Sequence, residues 1–300
     1  MRNPIGRLNL SERLLDPRSP DRRPRRAAYA MPTLFTAGNL FLGFLATLKS
    51  YEGAMFAAAG HLEFNLYFQQ AAVMIGVAVF LDGLDGRIAR MTNTVSDFGR
   101  EMDSLADVIT FGIAPGVLAF AWGIQFVDGE MGGLAREHLR RAGYFATFFF
   151  ALCGAARLAR FNVQTNPIPK NPGRSDRKYF VGLPIPAAAA MVAAVIFAAG
   201  SEPVVWWPYA VIWILLLLSL ALLMISSWRY RSFKDANLLR PRSTLTIIVL
   251  GSLIYLIWNY PQPVLLGMAV AYVGSGIVIR MLGILRRFRS APAPKEHPVG

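Results

Sequence analysis

Apolar residues are gathered into blocks of about 20, the length that a helix needs to cross the hydrocarbon core of a bilayer. The chain is 54% hydrophobic, against about 45–50% in soluble domains, so the distribution is more informative than the average. The blocks are Thr33–Tyr51, Tyr67–Arg87, Arg100–Phe126, Ala142–Phe161, Leu183–Gly200, Val204–Ser227, Thr244–Tyr260 and Val264–Leu282. They predict an all-α integral membrane protein with about eight transmembrane helices.

Basic residues alternate between the predicted loops. All but four of the 31 Lys and Arg residues fall on one side of this arrangement, and the exceptions are Lys49, Arg136, Arg140 and Arg141. Loops rich in Lys and Arg face the cytoplasm, so both termini are predicted to be cytoplasmic, which agrees with an even number of spans. This topology also explains the net charge of +13, and no nucleic-acid partner is expected.

Four aspartates border two neighbouring spans. Asp82 and Asp85 lie at the end of the second span, whereas Asp103 and Asp107 lie at the start of the third. Side chains three or four residues apart share a face of a helix, and the connection between the two helices is short. The sequence therefore predicts that four carboxylates meet near the membrane surface, where ionisable groups are costly and by default functional.

Carboxylates held together in this way repel one another unless cations or protons intervene. Oxygen ligands without His or Cys nearby favour Mg²⁺ or Mn²⁺ over zinc, and the lone Cys153 lies in another span. Mg²⁺ is usually shared between a few carboxylates and substrate phosphates. We therefore expect two ions and a phosphate or pyrophosphate partner, the arrangement that supports in-line displacement at phosphorus.

The residues between the two aspartate pairs suit that partner. Gly86, Ala89 and Gly99 place small side chains on the aspartate faces, and Arg90 carries a forked donor for phosphate. Each also has a structural interpretation, because small residues permit close helix packing and a terminal Arg can extend to the interface.

The segment Leu81–Gly112 resembles the signature of the CDP-alcohol phosphatidyltransferase family, D-x2-D-G-x2-A-R-x8-G-x3-D-x3-D. Every fixed position is met, by Asp82, Asp85, Gly86, Ala89, Arg90, Gly99, Asp103 and Asp107. Eight chance matches would occur on the order of once in 10⁹ windows at average residue usage.

The resemblance implies a role for each of these residues. Asp82, Asp85 and Asp103 would ligate one metal ion, and Asp82, Asp103 and Asp107 a second. Gly86, Ala89, Arg90 and Gly99, with Ser96, would contact CDP-diacylglycerol. Asp107 would be the general base for direct attack by the acceptor hydroxyl, with CMP as the leaving group.

Three further elements resemble bacterial phosphatidylserine synthases, so the likeness extends over about residues 32–190. They are Pro32–Leu40, Arg157–Asn162 (RLARFN) and Phe180–Ala188 (FVGLPIPAA). The resemblance implies L-serine as acceptor, and Arg157 or Arg160 could bind its carboxylate, although both could also be anchors at a cytoplasmic helix end. Thr36 and Asn39 are candidates for nucleotide contact.

The same resemblance divides the chain and places it in the cell. We expect a basic, disordered or juxtamembrane tail over 1–31, a catalytic domain over 32–200, additional transmembrane helices over 201–285 and a polar tail over 286–300. The bacterial inner membrane and a homodimer are expected from the family, and the charges of the loops predict an active site at the cytoplasmic face. The last three spans are interpreted as scaffold or dimer contact.

Two alternatives remain open from the sequence. Choline or glycerol-3-phosphate could be the acceptor in the same reaction, although choline would favour an aromatic cage and a phosphorylated acceptor more clustered Arg. A divalent-cation transporter would require acidic residues deeper in the membrane, whereas the remaining acidic residues nearest the other side fall in loops.

Overall fold

The computed structural model describes residues 22–61, 63–92, 97–127, 132–165, 179–231 and 244–289. The helices are α1 (Arg22–Ala58), α2 (Phe64–Thr92), α3 (Asp97–Asp107), α4 (Ala114–Gly123), α5 (Gly133–Thr165), α6 (Ile185–Ala198), α7 (Trp207–Ile225), α8 (Thr244–Asn259) and α9 (Pro261–Arg289). A π-helical segment, Val108–Ile113, joins α3 to α4, and two short strands are β1 (Tyr179–Val181) and β2 (Arg229–Arg231). The predicted all-α architecture is thus confirmed, apart from one small β-ribbon.

Five stretches of helix in the described part of the chain are long and apolar enough to cross a membrane. They are Phe64–Leu84, Gly99–Gly123, Gly133–Val163, Trp207–Ile225 and Pro261–Leu282. Ile185–Ala198 and Ile247–Asn259 are shorter apolar helices. A multi-pass membrane protein follows, whereas the count of eight spans and the side on which the termini lie stay predictions.

The helices pack around a core that lies between α1, α2, the π-helical segment, α4 and α6. The helices α1 and α2 form a hairpin, α2 also packs on α6, α5 packs on α7, and α9 packs on α6. Phe68, Ile75, Phe111, Leu118 and Phe150 are fully buried. The helices α2 and α3, which carry the aspartates, both pack against α1.

The third predicted span is interrupted by the π-helical segment directly after Asp107. Pro115 has no N–H group to donate to the carbonyl of Phe111, and its ring collides with that carbonyl in a regular helix. The backbone widens instead, so that the Ala114 N–H bonds the carbonyl of Ile109, five residues earlier. Such π-turns are frequent at functional sites, and this one lets Asp107 end α3 while Thr110 is turned into the core against α1.

The FVGLPIPAA element starts α6 and also closes the end of α7. Gly182 adopts a positive φ of 80°, and a Cβ there would lie 2.3 Å from the carbonyl oxygen of Met224, so only glycine fits. The Leu183 N–H donates to the Leu223 carbonyl at 3.0 Å, which satisfies one of the open carbonyls at the end of α7. Pro184 is the N-cap of α6, and Pro186 lies in its first turn, where a missing N–H costs nothing.

Candidate active site

Three of the four predicted aspartates meet between α2 and α3. Asp82, Asp103 and Asp107 each offer a carboxylate oxygen, and these oxygens all lie within 4.8 Å of one another. Asp103 and Asp107 are one turn apart on α3, and Asp82, in the C-terminal half of α2, lies against the same face. Asp82 and Asp103 are half-buried, whereas Asp107 is 8% exposed.

This arrangement has the chemistry of a divalent-cation site. Three carboxylates at such separations repel one another strongly in a partly dehydrated environment, and a hard cation with oxygen ligands removes the repulsion. The partial exposure of Asp82 and Asp103 leaves a side open to a phosphate ligand. The cluster can therefore hold a divalent cation.

For several other predicted site residues, the structure describes the side chain incompletely or not at all. Asp85, Gly86, Ala89 and Arg90 lie near the end of α2, where the structure describes the backbone only. Ser96 lies outside the described residues. Gly99 is half-buried on the first turns of α3, one turn before Asp103.

The two candidate nucleotide contacts on α1 are buried beside the π-helical segment. Thr36 and Asn39 are 5% and 3% exposed, and the Asn39 carbonyl accepts a hydrogen bond from the Thr110 hydroxyl at 3.2 Å. A Cβ on Gly43 would lie 2.6 Å from the Thr110 hydroxyl oxygen, so this glycine allows α1 to approach. The Asn39 Oδ1 has no hydrogen-bond partner among the described residues, which leaves an acceptor available there.

Arg157 and Arg160 occupy different environments, although the sequence offered both as candidates for binding the acceptor carboxylate. The Arg160 guanidinium donates to the Ile225 carbonyl at 3.2 Å and lies 3.3 Å from the Cβ position of Gly182. It therefore complements the negative end of α7. Arg157 is 9% exposed, its Nε has no partner among the described residues, and its charge interacts with Asp107 and Arg160.

Two residues of this region were not predicted. Asn162, the last residue of RLARFN, donates through Nδ2 to the Ser104 hydroxyl at 2.9 Å and so ties α5 to α3. Tyr272, from α9, interacts electrostatically with Arg157. A tyrosine within an apolar span was a weak signal for Tyr272, but no sequence pattern predicts that α9 packs on α6.

An open cavity lies elsewhere in the described structure. It measures about 400 Å³ and lies between α1, α4 and α5, with Tyr51, Gly116 and Tyr144 in its wall. None of the three clustered aspartates lines this apolar cavity.

The chain belongs to the CDP-alcohol phosphatidyltransferase family. The family model with that description, CDP-alcohol phosphatidyltransferase, matches residues 29–225. This stretch contains the three clustered aspartates, Arg157 and the whole of α7, while β2, α8 and α9 lie beyond it.

Curated relatives from bacteria and archaea are similar to the same region. A CDP-diacylglycerol–serine O-phosphatidyltransferase of Helicobacter pylori is 36% identical over 216 residues, covering 71% of this chain and 77% of that protein. The Bacillus subtilis enzyme with the same name is 33% identical over 158 residues, covering 53% and 70%. An archaetidylserine synthase of Methanothermobacter thermautotrophicus is 33% identical over 165 residues, covering 54% and 56%.

Proposed function

We propose that this protein transfers the phosphatidyl group of CDP-diacylglycerol to the hydroxyl of L-serine, giving phosphatidylserine and CMP. The observation that carries the proposal is the meeting of Asp82, Asp103 and Asp107 within 4.8 Å. The similarity to relatives named for transfer to serine supports this acceptor over choline and glycerol-3-phosphate.

The donor set of the cluster fits Mg²⁺ or Mn²⁺. Asp82, Asp103 and Asp107, together with Asp85, would hold two such ions, and oxygen ligation on a partly open face suits a cation that keeps substrate phosphates in its coordination shell. When bound, these ions neutralise negative charge on the pyrophosphate and stabilise the departing CMP.

Asp107 is proposed as the general base. Its carboxylate accepts the proton of the serine hydroxyl while the hydroxyl oxygen forms a bond to the β-phosphorus of the CDP moiety, and the bond from that phosphorus to the CMP oxygen breaks. The buried position of Asp107 and the nearby charge of Arg157 keep this carboxylate fixed and attract the acceptor. A base positioned within reach of the proton typically contributes about 10²–10⁴-fold to the rate.

The nucleotide would lie between α1, α2 and α3. Gly86, Ala89, Gly99 and Arg90, with Ser96, supply the close backbone approach and the phosphate contact on the signature side. Thr36 and Asn39 face the same region from α1, and the open Oδ1 of Asn39 is suited to accept a hydrogen bond from an amino group of the base or from a sugar hydroxyl.

The acceptor would lie against Arg157. A guanidinium binds a carboxylate through paired hydrogen bonds, and Arg157 retains an unused donor, whereas Arg160 is engaged with α7. A cationic acceptor without a carboxylate, such as choline, would be repelled here.

The cellular setting follows from the lipid substrate and the charge pattern. We propose an inner-membrane enzyme with its active site at the cytoplasmic face, where the basic loops lie. A homodimer is also proposed. The exposed apolar side chains of α8, among them Ile247, Ile254 and Trp258, would then contact acyl chains or a second copy.

An acceptor panel tests this proposal. Purified protein is given CDP-diacylglycerol with L-serine, choline or glycerol-3-phosphate, and CMP release is measured with Mn²⁺ and with EDTA. Metal-dependent CMP release with serine alone is expected. Release with choline or glycerol-3-phosphate but not with serine would contradict the acceptor, and no release with any alcohol would contradict the reaction.

A further inference from the structure

Two deeply buried polar groups, one of them near Asp107, have no hydrogen-bond partner among the described residues. The Nε of Arg157 and the hydroxyl of Tyr230 make no hydrogen bond to any described residue, and these residues are 9% and 0% exposed. A buried donor without a partner loses its hydrogen bonds to water, and no protein hydrogen bond offsets that cost. Such groups are therefore rare in native proteins. Each of the two groups is therefore suited to a polar ligand.

Tyr272 of α9 links the two groups. Its ring centroid lies 6.0 Å from that of Tyr230, with the planes inclined by 35°, and it interacts electrostatically with both Arg157 and Tyr230. Arg157 in turn interacts with Asp107. The sequence of contacts therefore leads from the proposed base through Arg157 and Tyr272 to Tyr230.

The position of Tyr230 is fixed by its surroundings. Tyr230 pairs with Phe180 across the β-ribbon, directly before the Gly182 turn. On its other side, a Cβ at Gly276 of α9 would lie 2.2 Å from the Tyr230 ring, so the absence of a side chain there lets the ring pack flush on the helix. Both β2 and α9 lie beyond the residues that the family model matches.

We infer that Tyr230 and Tyr272, supplied by the C-terminal part of the chain, complete the acceptor pocket, with the Tyr230 hydroxyl and Arg157 together holding the carboxylate of an amino-acid acceptor. This inference rests on the proposed function. A guanidinium and a phenol donor satisfy both oxygens of a carboxylate, while the acceptor hydroxyl remains directed towards Asp107. Tyr272, which is half-buried, is a positioning residue that forms the wall of the pocket.

The first test is Tyr230→Phe, which removes one oxygen and keeps the ring. Loss of one hydrogen bond to a charged group is expected to raise the KM for L-serine about tenfold, with kcat and the KM for CDP-diacylglycerol unchanged. Tyr255→Phe, on the exposed face of α8, is the matched control and should behave as wild type. An equal KM for serine in the two variants would overturn the inference.

A competing analogue separates recognition from structure. Ethanolamine lacks the carboxylate altogether, so its inhibition constant against serine should stay within about twofold of wild type in Tyr230→Phe while the KM for serine rises. The melting temperature of ligand-free Tyr230→Phe should be no lower than that of wild type, because an unbonded hydroxyl is removed. Equal weakening of serine and ethanolamine, or a lower melting temperature, would indicate a structural role and contradict the inference.

Tyr272 has its own pair of variants. Tyr272→Phe retains the ring and should keep a near-normal KM for serine, whereas Tyr272→Ala should raise that KM without a matching loss in kcat. A raised KM in both, or in neither, would contradict the positioning role. Failure of the proposed function would be seen separately, as a lack of serine-dependent CMP release in wild type and in Tyr255→Phe alike.

Discussion

The Asn162 side chain donates a hydrogen bond to the Ser104 hydroxyl at 2.9 Å, which joins the helix that carries Arg157 to the helix that carries Asp103 and Asp107. Ser104 in turn donates to the Arg100 carbonyl within α3 at 3.0 Å. The contact sets the position of α3 relative to α5. It therefore fixes the distance between the proposed base and the proposed carboxylate-binding residue.

Asn162→Ala should lower activity more than stability. Loss of the bond is expected to cost about 1 kcal/mol of folding free energy, but a displacement of α3 by a fraction of an ångström misplaces Asp107 and should reduce kcat at least tenfold. The control is Asn259→Ala, because the Asn259 amide donates only to the Tyr255 carbonyl of its own helix at an exposed position. Comparable kcat values in the two variants, measured by CMP release, would contradict this role of Asn162.

Asp107→Asn should abolish turnover while the protein stays folded. The amide has nearly the shape of the carboxylate but neither accepts the proton of the acceptor nor carries charge towards a cation, so we expect a loss of about 10³-fold or more in kcat. Glu137→Gln, at an exposed pair with Arg141, is the control and should be fully active. Substantial activity of Asp107→Asn, with a normal elution profile in detergent, would contradict the assignment of the base.

Gly182→Ala should destabilise the fold far more than Gly200→Ala. Both glycines have a positive φ, 80° and 70°, so each substitution costs about 1–2 kcal/mol from the backbone conformation. At Gly182 the new Cβ would also meet the Met224 carbonyl at 2.3 Å, whereas at Gly200 nothing lies within 4 Å. Overpacking adds about 1–3 kcal/mol, and thermal unfolding in detergent should show the difference. Equal melting temperatures of the two variants would contradict the expected clash between the new Cβ at residue 182 and the end of α7.

Tyr230 should make the protein less stable at alkaline pH. Burial raises the pKa of the Tyr230 hydroxyl above its ordinary value, so the unfolded chain releases this proton at a lower pH than the folded chain does. Its contribution to stability is complete below about pH 10 and is lost as the pH rises further. Tyr230→Phe should therefore lose less unfolding free energy than wild type above that pH, while Tyr255→Phe should not differ. An identical pH dependence of all three would contradict the effect.

Much of the fold could be predicted because its signals are local. Each predicted apolar block consists mainly of helix, although the third is divided by the π-helical segment, since length and hydropathy largely decide whether a helix can lie in a membrane. The meeting of Asp82 with Asp103 and Asp107 was also predictable, because two pairs with helical spacing flank one short connection. The π-helical segment was not predicted, although Pro115 in the middle of an apolar span was an available signal.

The residues proposed to bind the acceptor were harder to predict from the sequence. The contact between Tyr272 and Arg157 depends on the packing of α9 beside α6, which no periodicity encodes. The different environments of Arg157 and Arg160 depend on the end of α7, some 65 residues away in sequence, where the Ile225 carbonyl binds only Arg160. Local sequence patterns predict that such residues lie on a helix, but they do not predict which other helix the residues will contact.

The central claim is that acidic side chains of α2 and α3 share a divalent cation which binds the pyrophosphate of the lipid nucleotide. The most direct test is a structure of the protein with Mn²⁺ and CDP-diacylglycerol, with data collected at the manganese absorption edge. The account predicts anomalous peaks about 2.0–2.3 Å from carboxylate oxygens of Asp82, Asp103 and Asp107, with the pyrophosphate on their open side. Manganese and nucleotide bound away from these three residues, or absent at saturating concentrations, would contradict it.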